Sequence, residues 1–213
     1  MKRALHIQYI LCLVAAVLLS GCAGGMGGST KVTMKQDSYT PGFRPSDVSR
    51  FKGKTVILDN FTNNASNTKS WGYFSADKKV YYEASVQLEI YLWHCFQKAF
   101  QHAGAKVLDQ THGGYEHPYH PYWWGAARPP QPARTAPRGA LDFQFVLTSM
   151  TDQECKFQVS LFKEGETKFQ KDYTVTMPPP TSEDAKELEK NAYRLVDQMV
   201  ITVFKDMDFQ KSF

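Results

Sequence analysis

The sequence lacks the short motifs that mark the common enzyme classes. It has no G-x-S-x-G serine elbow, no H-E-x-x-H zinc helix, no phosphate-binding glycine loop and no dinucleotide fingerprint. Its carboxylates are scattered along the chain rather than grouped in a recognisable pattern. We therefore expect a protein that is not an enzyme and that uses neither a metal nor a cofactor.

Excess charge of one sign is also small. The chain has 25 Lys and Arg residues against 21 Asp and Glu residues, a formal net charge of +4. Two of the cations, Lys2 and Arg3, lie in the leader described below. This balance is too mild to indicate nucleic acid as a partner.

Long hydrophobic runs are almost absent. The only uninterrupted one extends from Ile10 to Leu19, and it follows the cations Lys2 and Arg3. It has about half of the roughly 20 residues that a membrane-spanning helix needs, so it is typical of a secretory signal.

The signal ends in Leu19-Ser20-Gly21-Cys22, which resembles the lipobox of bacterial lipoproteins. The resemblance implies that the Cys22 sulfur receives a diacylglycerol, that the leader is removed before Cys22, and that the new amino group is acylated. Two or more acyl chains such as palmitate hold a protein stably on a bilayer. Ala23 stands where an aspartate would direct inner-membrane retention, so the resemblance implies a lipid anchor in the outer membrane, on its periplasmic face.

Composition divides the chain into three parts. Residues 1–21 form the signal peptide, and residues 22–50 are rich in Gly, Ser and Pro, which predicts a flexible tether. Residues 51–208 form a single domain of sufficient length for a hydrophobic core. Within it, residues 110–140 are an unusual insertion rich in Pro and aromatic residues.

The first half of the domain shows a β-α-β pattern. A β-rich apolar run at 54–61 predicts a buried strand, and the polar stretch 62–79 predicts a loop. Apolar residues at helical spacing predict a long helix over 81–103, closed by Gly104. Residues 105–109 predict a second strand, parallel to the first.

The second half predicts an antiparallel meander followed by a helix. Alternating apolar and polar residues predict strands at 141–150, 154–162 and 167–177. Thr181 or Ser182 is expected to cap a final helix that ends near Lys205. The fold class is therefore α+β: a single mixed sheet with two long helices packed on it.

The lipobox, the Gly-rich tether, the opening "VILDNFTNN" and the helix ending in "AGAKVLD" together resemble a broad group of envelope lipoproteins. The group includes the lipopolysaccharide-assembly lipoprotein, the auxiliary lipoproteins of lipid-transporting ABC systems, and the lipoprotein activators of penicillin-binding proteins. The resemblance rests on element order over residues 54–205. It implies a protein that docks onto partners, and the aromatic insertion departs from the usual pattern of the group.

Two cysteines remain in the predicted domain, Cys95 on the apolar stripe of the first helix and Cys155 on the inward face of a meander strand. Both side chains are expected in the layer between helix and sheet. In an oxidising compartment they could form a disulfide linking helix to meander. The alternative is two small buried thiols that pack as hydrophobic side chains.

The insertion 110–140 concentrates aromatic residues and six of the eleven prolines. We identify a candidate partner-binding loop in the residues Tyr115, Tyr119, Tyr122, Trp123, Trp124 and Arg128. Trp, Tyr and Arg dominate interface hot spots, which favours a binding loop. Two alternatives stay open: a wedge into the membrane interface, and a loop that covers its own domain. His112, His117 and His120 are interpreted as surface histidines rather than metal ligands.

These observations together predict an accessory or docking subunit of a bacterial cell-envelope machine. Lipid or lipopolysaccharide transport is the first expectation for that machine, and activation of a cell-wall synthase is an alternative. Direct binding of glycan or lipid is a third hypothesis, because Trp and Tyr faces suit sugars and acyl chains. The expected partners are the membrane, through the anchor, and an envelope protein.

Overall fold

The structure is a computed structural model, and it describes residues 30–75, 77, 79–108 and 137–213. These residues form nine strands, three α-helices and two short 3-10 segments at 36–38 and 45–51. The strands are β1 Thr30–Met34, β2 Thr55–Asn63, β3 Thr68–Lys69, β4 Gly72–Phe74, β5 Val80–Ala84, β6 Lys106–Leu108, β7 Leu141–Met150, β8 Glu154–Lys163 and β9 Glu166–Thr176. The helices are α1 Leu88–His102, α2 Ala185–Phe204 and α3 Met207–Lys211.

The larger sheet has five strands in the order β6-β2-β7-β8-β9. Strand β2 pairs in parallel with β6 on one side and with β7 on the other, whereas β7, β8 and β9 pair antiparallel. The predicted β-α-β unit and the predicted meander are both confirmed. Helices α1 and α2 pack against this sheet, α1 on β2 and β6, and α2 on β8 and β9. The α+β class is therefore correct.

The prediction of a single sheet is wrong, because a second sheet of four strands has the order β1-β5-β4-β3. Strand β1 lies in the stretch predicted as tether, and it pairs in parallel with β5 from Thr30 opposite Val80 to Met34 opposite Ala84. Residues 30–50 are therefore part of the domain rather than a flexible leash. The physical reason is burial: Val32 and Met34 point into the core and are almost fully enclosed.

Two further boundaries differ from the sequence prediction. The stretch 62–79, predicted as a loop, contains the end of β2 and the hairpin β3–β4. The helix predicted over 81–103 begins only at Leu88, because residues 80–84 form β5. Strand β5 has a partner on each side, β1 and β4, and the backbone hydrogen bonds of this pairing outweigh the weak helical preference of Tyr81 and Tyr82.

The helix ends show why the elements stop where they do. Gly104 has a left-handed φ of 84° and ends α1, as predicted, and the Ala105 N–H donates to the Phe100 carbonyl at 2.9 Å. The predicted cap of the last long helix is wrong by two or three residues. Asp184 caps α2, and its carboxylate accepts from the backbone N–H groups of Lys186 and Glu187.

The core between helices and sheets is dominated by aromatic rings. Phe100 packs on Phe204 with ring centroids 4.6 Å apart, and Phe51 packs on Phe204 at 4.8 Å. Helix α3 closes the core at the end of the chain, where Phe209 is fully buried and Phe213 contacts Phe51 at 4.6 Å. The domain therefore continues past the predicted end at residue 208.

Candidate docking surfaces

The segment between β1 and β2 is fastened to both long helices. The ammonium group of Lys98 on α1 donates to the carbonyl oxygens of Gln36, Asp37 and Tyr39 at 3.0–3.3 Å. On α2, the Asp197 carboxylate accepts from the Gly42 N–H at 2.8 Å. Charge-assisted hydrogen bonds of this kind hold backbone firmly, so the point at which the chain enters the domain has a fixed position.

Gly42 leaves room for this carboxylate. A β-carbon at position 42 would collide with an Asp197 carboxylate oxygen, so any other residue would displace the carboxylate and disturb its hydrogen bond to the N–H at position 42. The Tyr193 hydroxyl supplies another link, because it accepts from the Lys35 N–H at 2.9 Å. We call residues 35–51 the N-terminal strap, since they cross from the small sheet over the helices to β2.

The aromatic insertion leaves and rejoins the large sheet at neighbouring points. Leu108, the last residue of β6, lies opposite Ile57 of β2, and Asp142 at the start of β7 lies opposite Ile57 on the other side. Neighbouring strands are about 4.8 Å apart, so the two ends lie about 10 Å from each other. Because β6 and β7 run parallel with β2 between them, the chain needs a crossover of about a dozen residues, which is less than half the length of the insertion 110–140.

Several of the residues predicted as functional lie outside the described part of the chain. These are Cys22 and the loop residues Tyr115, Tyr119, Tyr122, Trp123, Trp124 and Arg128. Their assignments as lipidation site and partner-binding loop stay predictions.

Cys95 and Cys155 both face the core, as the sequence predicted, and both are free thiols in this structure. The two side chains pack here as small hydrophobic groups without a bond between them, and the possible disulfide stays a hypothesis. Burial raises the pKa of each thiol well above its usual range, with the Glu154 carboxylate adding to the rise at Cys155. Neither thiol has the lowered pKa and the exposure of a reactive cysteine.

A group of buried tyrosines connects the small sheet to α1. The rings of Tyr73 and Tyr82 stack almost in parallel, with centroids 4.8 Å apart, and the Tyr73 hydroxyl lies 3.9 Å from the Met34 sulfur. Burial is the main cause that raises the pKa of Tyr73, Tyr82 and Tyr91. These hydroxyls are sealed inside the core, so they are structural rather than reactive.

The outer face of the large sheet is polar. Gln144 on β7 donates to the Asp59 carboxylate at 3.1 Å, and Gln158 on β8 donates to Asp172 on β9 at 2.8 Å. Partial burial, and then the nearby Asp59 carboxylate, raise the pKa of Asp142. This face adjoins the two strands that flank the insertion.

The outer face of the small sheet is aromatic and basic, and sequence reasoning missed it. Phe74 on β4 lies opposite Tyr81 on β5 with ring centroids 4.9 Å apart, and the Lys69 ammonium group lies 5.4 Å from the Phe74 ring centre. Trp71, in the β3–β4 turn, is 45% exposed. Residues 79–84, "KVYYEA", carry the signal of a strand, but the helical spacing that predicts a helix over 81–103 includes the last four of them.

Among the described residues, no three His, Cys, Asp or Glu side chains are grouped in a way that could hold a metal ion. Within the same ranges, the helices fall short of the length and apolar character that crossing a membrane requires.

No protein-family model matches the chain, and no curated protein matches it significantly. Its fold is similar to the crystal structure of protein XCC0632 from Xanthomonas campestris, which carries the family-model description DUF330. The TM-score is 0.53 at 8% sequence identity, and the match covers 85% of this chain and 96% of that chain. At this identity the likeness establishes a shared fold.

Proposed function

We propose that the protein is a lipid-anchored, non-catalytic docking subunit of a bacterial cell-envelope machine, with lipid or lipopolysaccharide transport as the favoured machine. Cys22 carries the anchor, in the outer membrane and facing the periplasm. The insertion 110–140 provides the contact area for an envelope protein. The proposal rests on the lipobox in the sequence and on one geometric observation about the insertion.

That observation is the closeness of the two ends of the insertion. Leu108 and Asp142 flank one β2 residue in strands that run parallel to β2, and such strands can be joined by a crossover of about a dozen residues. The insertion 110–140 is more than twice that length, and a long Pro-rich segment beyond what the strands need is either functional or disordered. Five Tyr and Trp residues within ten positions are the residue types that carry interface energy, which favours function.

The experiment is photo-crosslinking in living cells from a reactive amino acid placed at Trp124, with mass spectrometry of the adducts. A matched control position is Lys156, which is exposed on β8 opposite Ser149 of β7, seven residues along β7 from Asp142 at the end of the insertion. One discrete protein adduct at position 124 that is absent at position 156 would support docking and name the machine. It would also separate lipid transport from activation of a cell-wall synthase.

The second candidate, direct binding of glycan or lipid, predicts a different pattern of adducts. Exposed aromatic side chains such as Trp71 are suited to stacking on sugars and acyl chains. Adducts to lipid or glycan alone at position 124 would count against docking and in favour of this candidate. No adduct, with the protein correctly lipidated, would remove the insertion from both proposals.

A further inference from the structure

Along the chain, the small sheet is the part of the domain nearest to the proposed lipid anchor at Cys22. Its strand β1 begins at Thr30, eight residues after Cys22, and the Thr30 N–H donates to the Lys79 carbonyl at 3.0 Å. Eight residues span at most about 27 Å when fully extended. Lipidation at Cys22, on which this inference rests, would therefore hold the small sheet within that distance of the bilayer surface.

The outer face of the small sheet carries its side chains in two rows. Lys31, Tyr81 and Phe74 lie side by side across β1, β5 and β4, and Thr33 and Glu83 belong to the next row. Lys31 forms an ion pair with Glu83. The opposite face of the same strands is buried in the core, so only this outer face is available for contact.

The chemistry of this face is that of a membrane interface. Amphipathic aromatic rings settle at the level of lipid headgroups, and lysine side chains lay their methylene stems along apolar surface while the ammonium groups reach the phosphates. Phe74 and Tyr81 are half-buried, Trp71 is exposed at the rim, and Lys31, Lys69 and Lys79 are exposed around them. Anionic headgroups attract lysines that lie near the bilayer surface, and of these three Lys31 is also paired with Glu83.

Strand β1, where the chain enters the domain, has a fixed position, and this limits which surface can face the bilayer. The N-terminal strap is held by Lys98 on α1 and by Asp197 on α2, so β1 cannot swing away from the domain. A short link to a fixed strand keeps the surface around the start of that strand close to the bilayer.

We infer that the outer face of the small sheet, formed around Phe74 and Tyr81 with Trp71 and Lys69, rests on the headgroup layer of the membrane that holds the Cys22 lipid. The occupant is a phospholipid bilayer. The surface is distinct from the insertion 110–140.

The test uses the full chain, processed in cells, purified from membranes and reconstituted at about one molecule per vesicle of phosphatidylethanolamine and phosphatidylglycerol. A single environment-sensitive fluorophore is attached through Thr33→Cys, which is exposed on the outer face of the small sheet. The matched control is Thr174→Cys, a threonine equally exposed on β9 of the large sheet. The native Cys95 and Cys155 are buried and should react slowly.

Flotation with the vesicles tests whether the chain carries a lipid anchor, and the fluorophore tests whether the outer face of the small sheet contacts the membrane. We expect a blue-shifted emission and several-fold slower quenching by an aqueous quencher at position 33, with neither change at position 174. Adding Trp71→Glu, a change in an exposed turn, should restore most of the quenching at position 33.

Equal quenching at positions 33 and 174 in protein that floats would overturn the inference and leave the anchoring proposal intact. Failure to float would overturn the anchoring and, with it, this inference. The low ratio of protein to vesicle excludes protection by a second copy of the chain.

Discussion

Met34→Ala tests directly whether residues 30–34 are part of the folded domain. Met34 is fully buried on β1, opposite Ala84 of β5, and its sulfur lies 3.9 Å from the Tyr73 hydroxyl. Truncating a buried methionine to alanine costs about 2–5 kcal/mol, because transfer free energy is lost and a cavity remains. Tyr73 also loses its weak sulfur acceptor, so we expect a total near the upper part of that range, about 3–5 kcal/mol.

The assay is urea and thermal unfolding of residues 23–213 produced without the leader, in the presence of reductant. For a chain of this size, each kcal/mol lowers Tm by roughly 2–4 °C, so the expected decrease is about 6–20 °C. The control is Thr33→Val on the same strand. Thr33 is exposed and valine keeps the β-branched shape, so its effect should stay within about 0.5 kcal/mol.

A flexible tether makes the opposite prediction. If residues 22–50 were a leash, Met34→Ala would change stability no more than Thr33→Val does. Equal and small effects of both variants would therefore refute the assignment of β1 to the fold. They would also remove the fixed entry point on which the orientation argument depends.

Three other outcomes follow from the described contacts. Asp206→Ala should cost about 1–3 kcal/mol at pH 7, because the carboxylate caps α3 and accepts from Lys171 and Tyr173. Burial alone would raise the pKa of the Asp206 carboxyl, but these hydrogen bonds lower it in the folded protein. Their contribution to the free energy of unfolding is therefore fully present above the unfolded-state pKa of about 3.9. It should be lost as the pH falls from there through the lowered pKa of the folded state. Replacing residues 110–136 with a Gly-Ser linker of equal length that keeps the photo-reactive amino acid at position 124 should leave the unfolding free energy within about 1 kcal/mol and abolish the protein adduct. A large loss of stability in urea unfolding would show instead that the segment supports the fold. Unfolding the mature chain without reductant should expose two titratable thiols, Cys95 and Cys155, and a count of zero would establish the disulfide.

The elements that the sequence predicted well are those with strong local patterns. The alternation in 141–177 and the helical spacing after Ala185 are long enough for one period to dominate, and the structure confirms both. The inward orientation of Cys95 and Cys155 followed from the same periodicity.

Strand β1 could not be predicted from its own residues. "TKVTM" is short, follows a Gly-rich stretch, and obtains its partner from β5, about 50 residues further along the chain. Pairing between such distant segments leaves no local signal. The same cause explains why α1 starts later than predicted. The residues "YYEA" continue the apolar spacing of the helix, but they form a strand because β1 and β4 pair with them on both sides.

The candidate sites divide in the same way. The lipobox and the aromatic insertion are contiguous in sequence, so composition alone reveals them. The aromatic face of the small sheet joins Phe74, predicted in a loop, to Tyr81, predicted in a helix, and to Lys31, predicted in a tether. A surface assembled from three misassigned segments becomes visible only when the strand register is known.

The corrected position of β1 changes how an anchored domain of this kind would work. A leash of 29 residues from Cys22 to Phe51 would have a root-mean-square length of about 30 Å, whereas eight residues give about 16 Å. Effective concentration falls roughly as the −3/2 power of linker length, so the shorter link raises it about sevenfold near the bilayer. If the lipid anchor and the membrane contact of the small sheet both hold, the small sheet stays at the membrane, and the ends of the insertion, on the other sheet, keep a fixed position within the domain. A docking partner for the insertion would then have to present its contact site close to the membrane surface rather than deep in the periplasm.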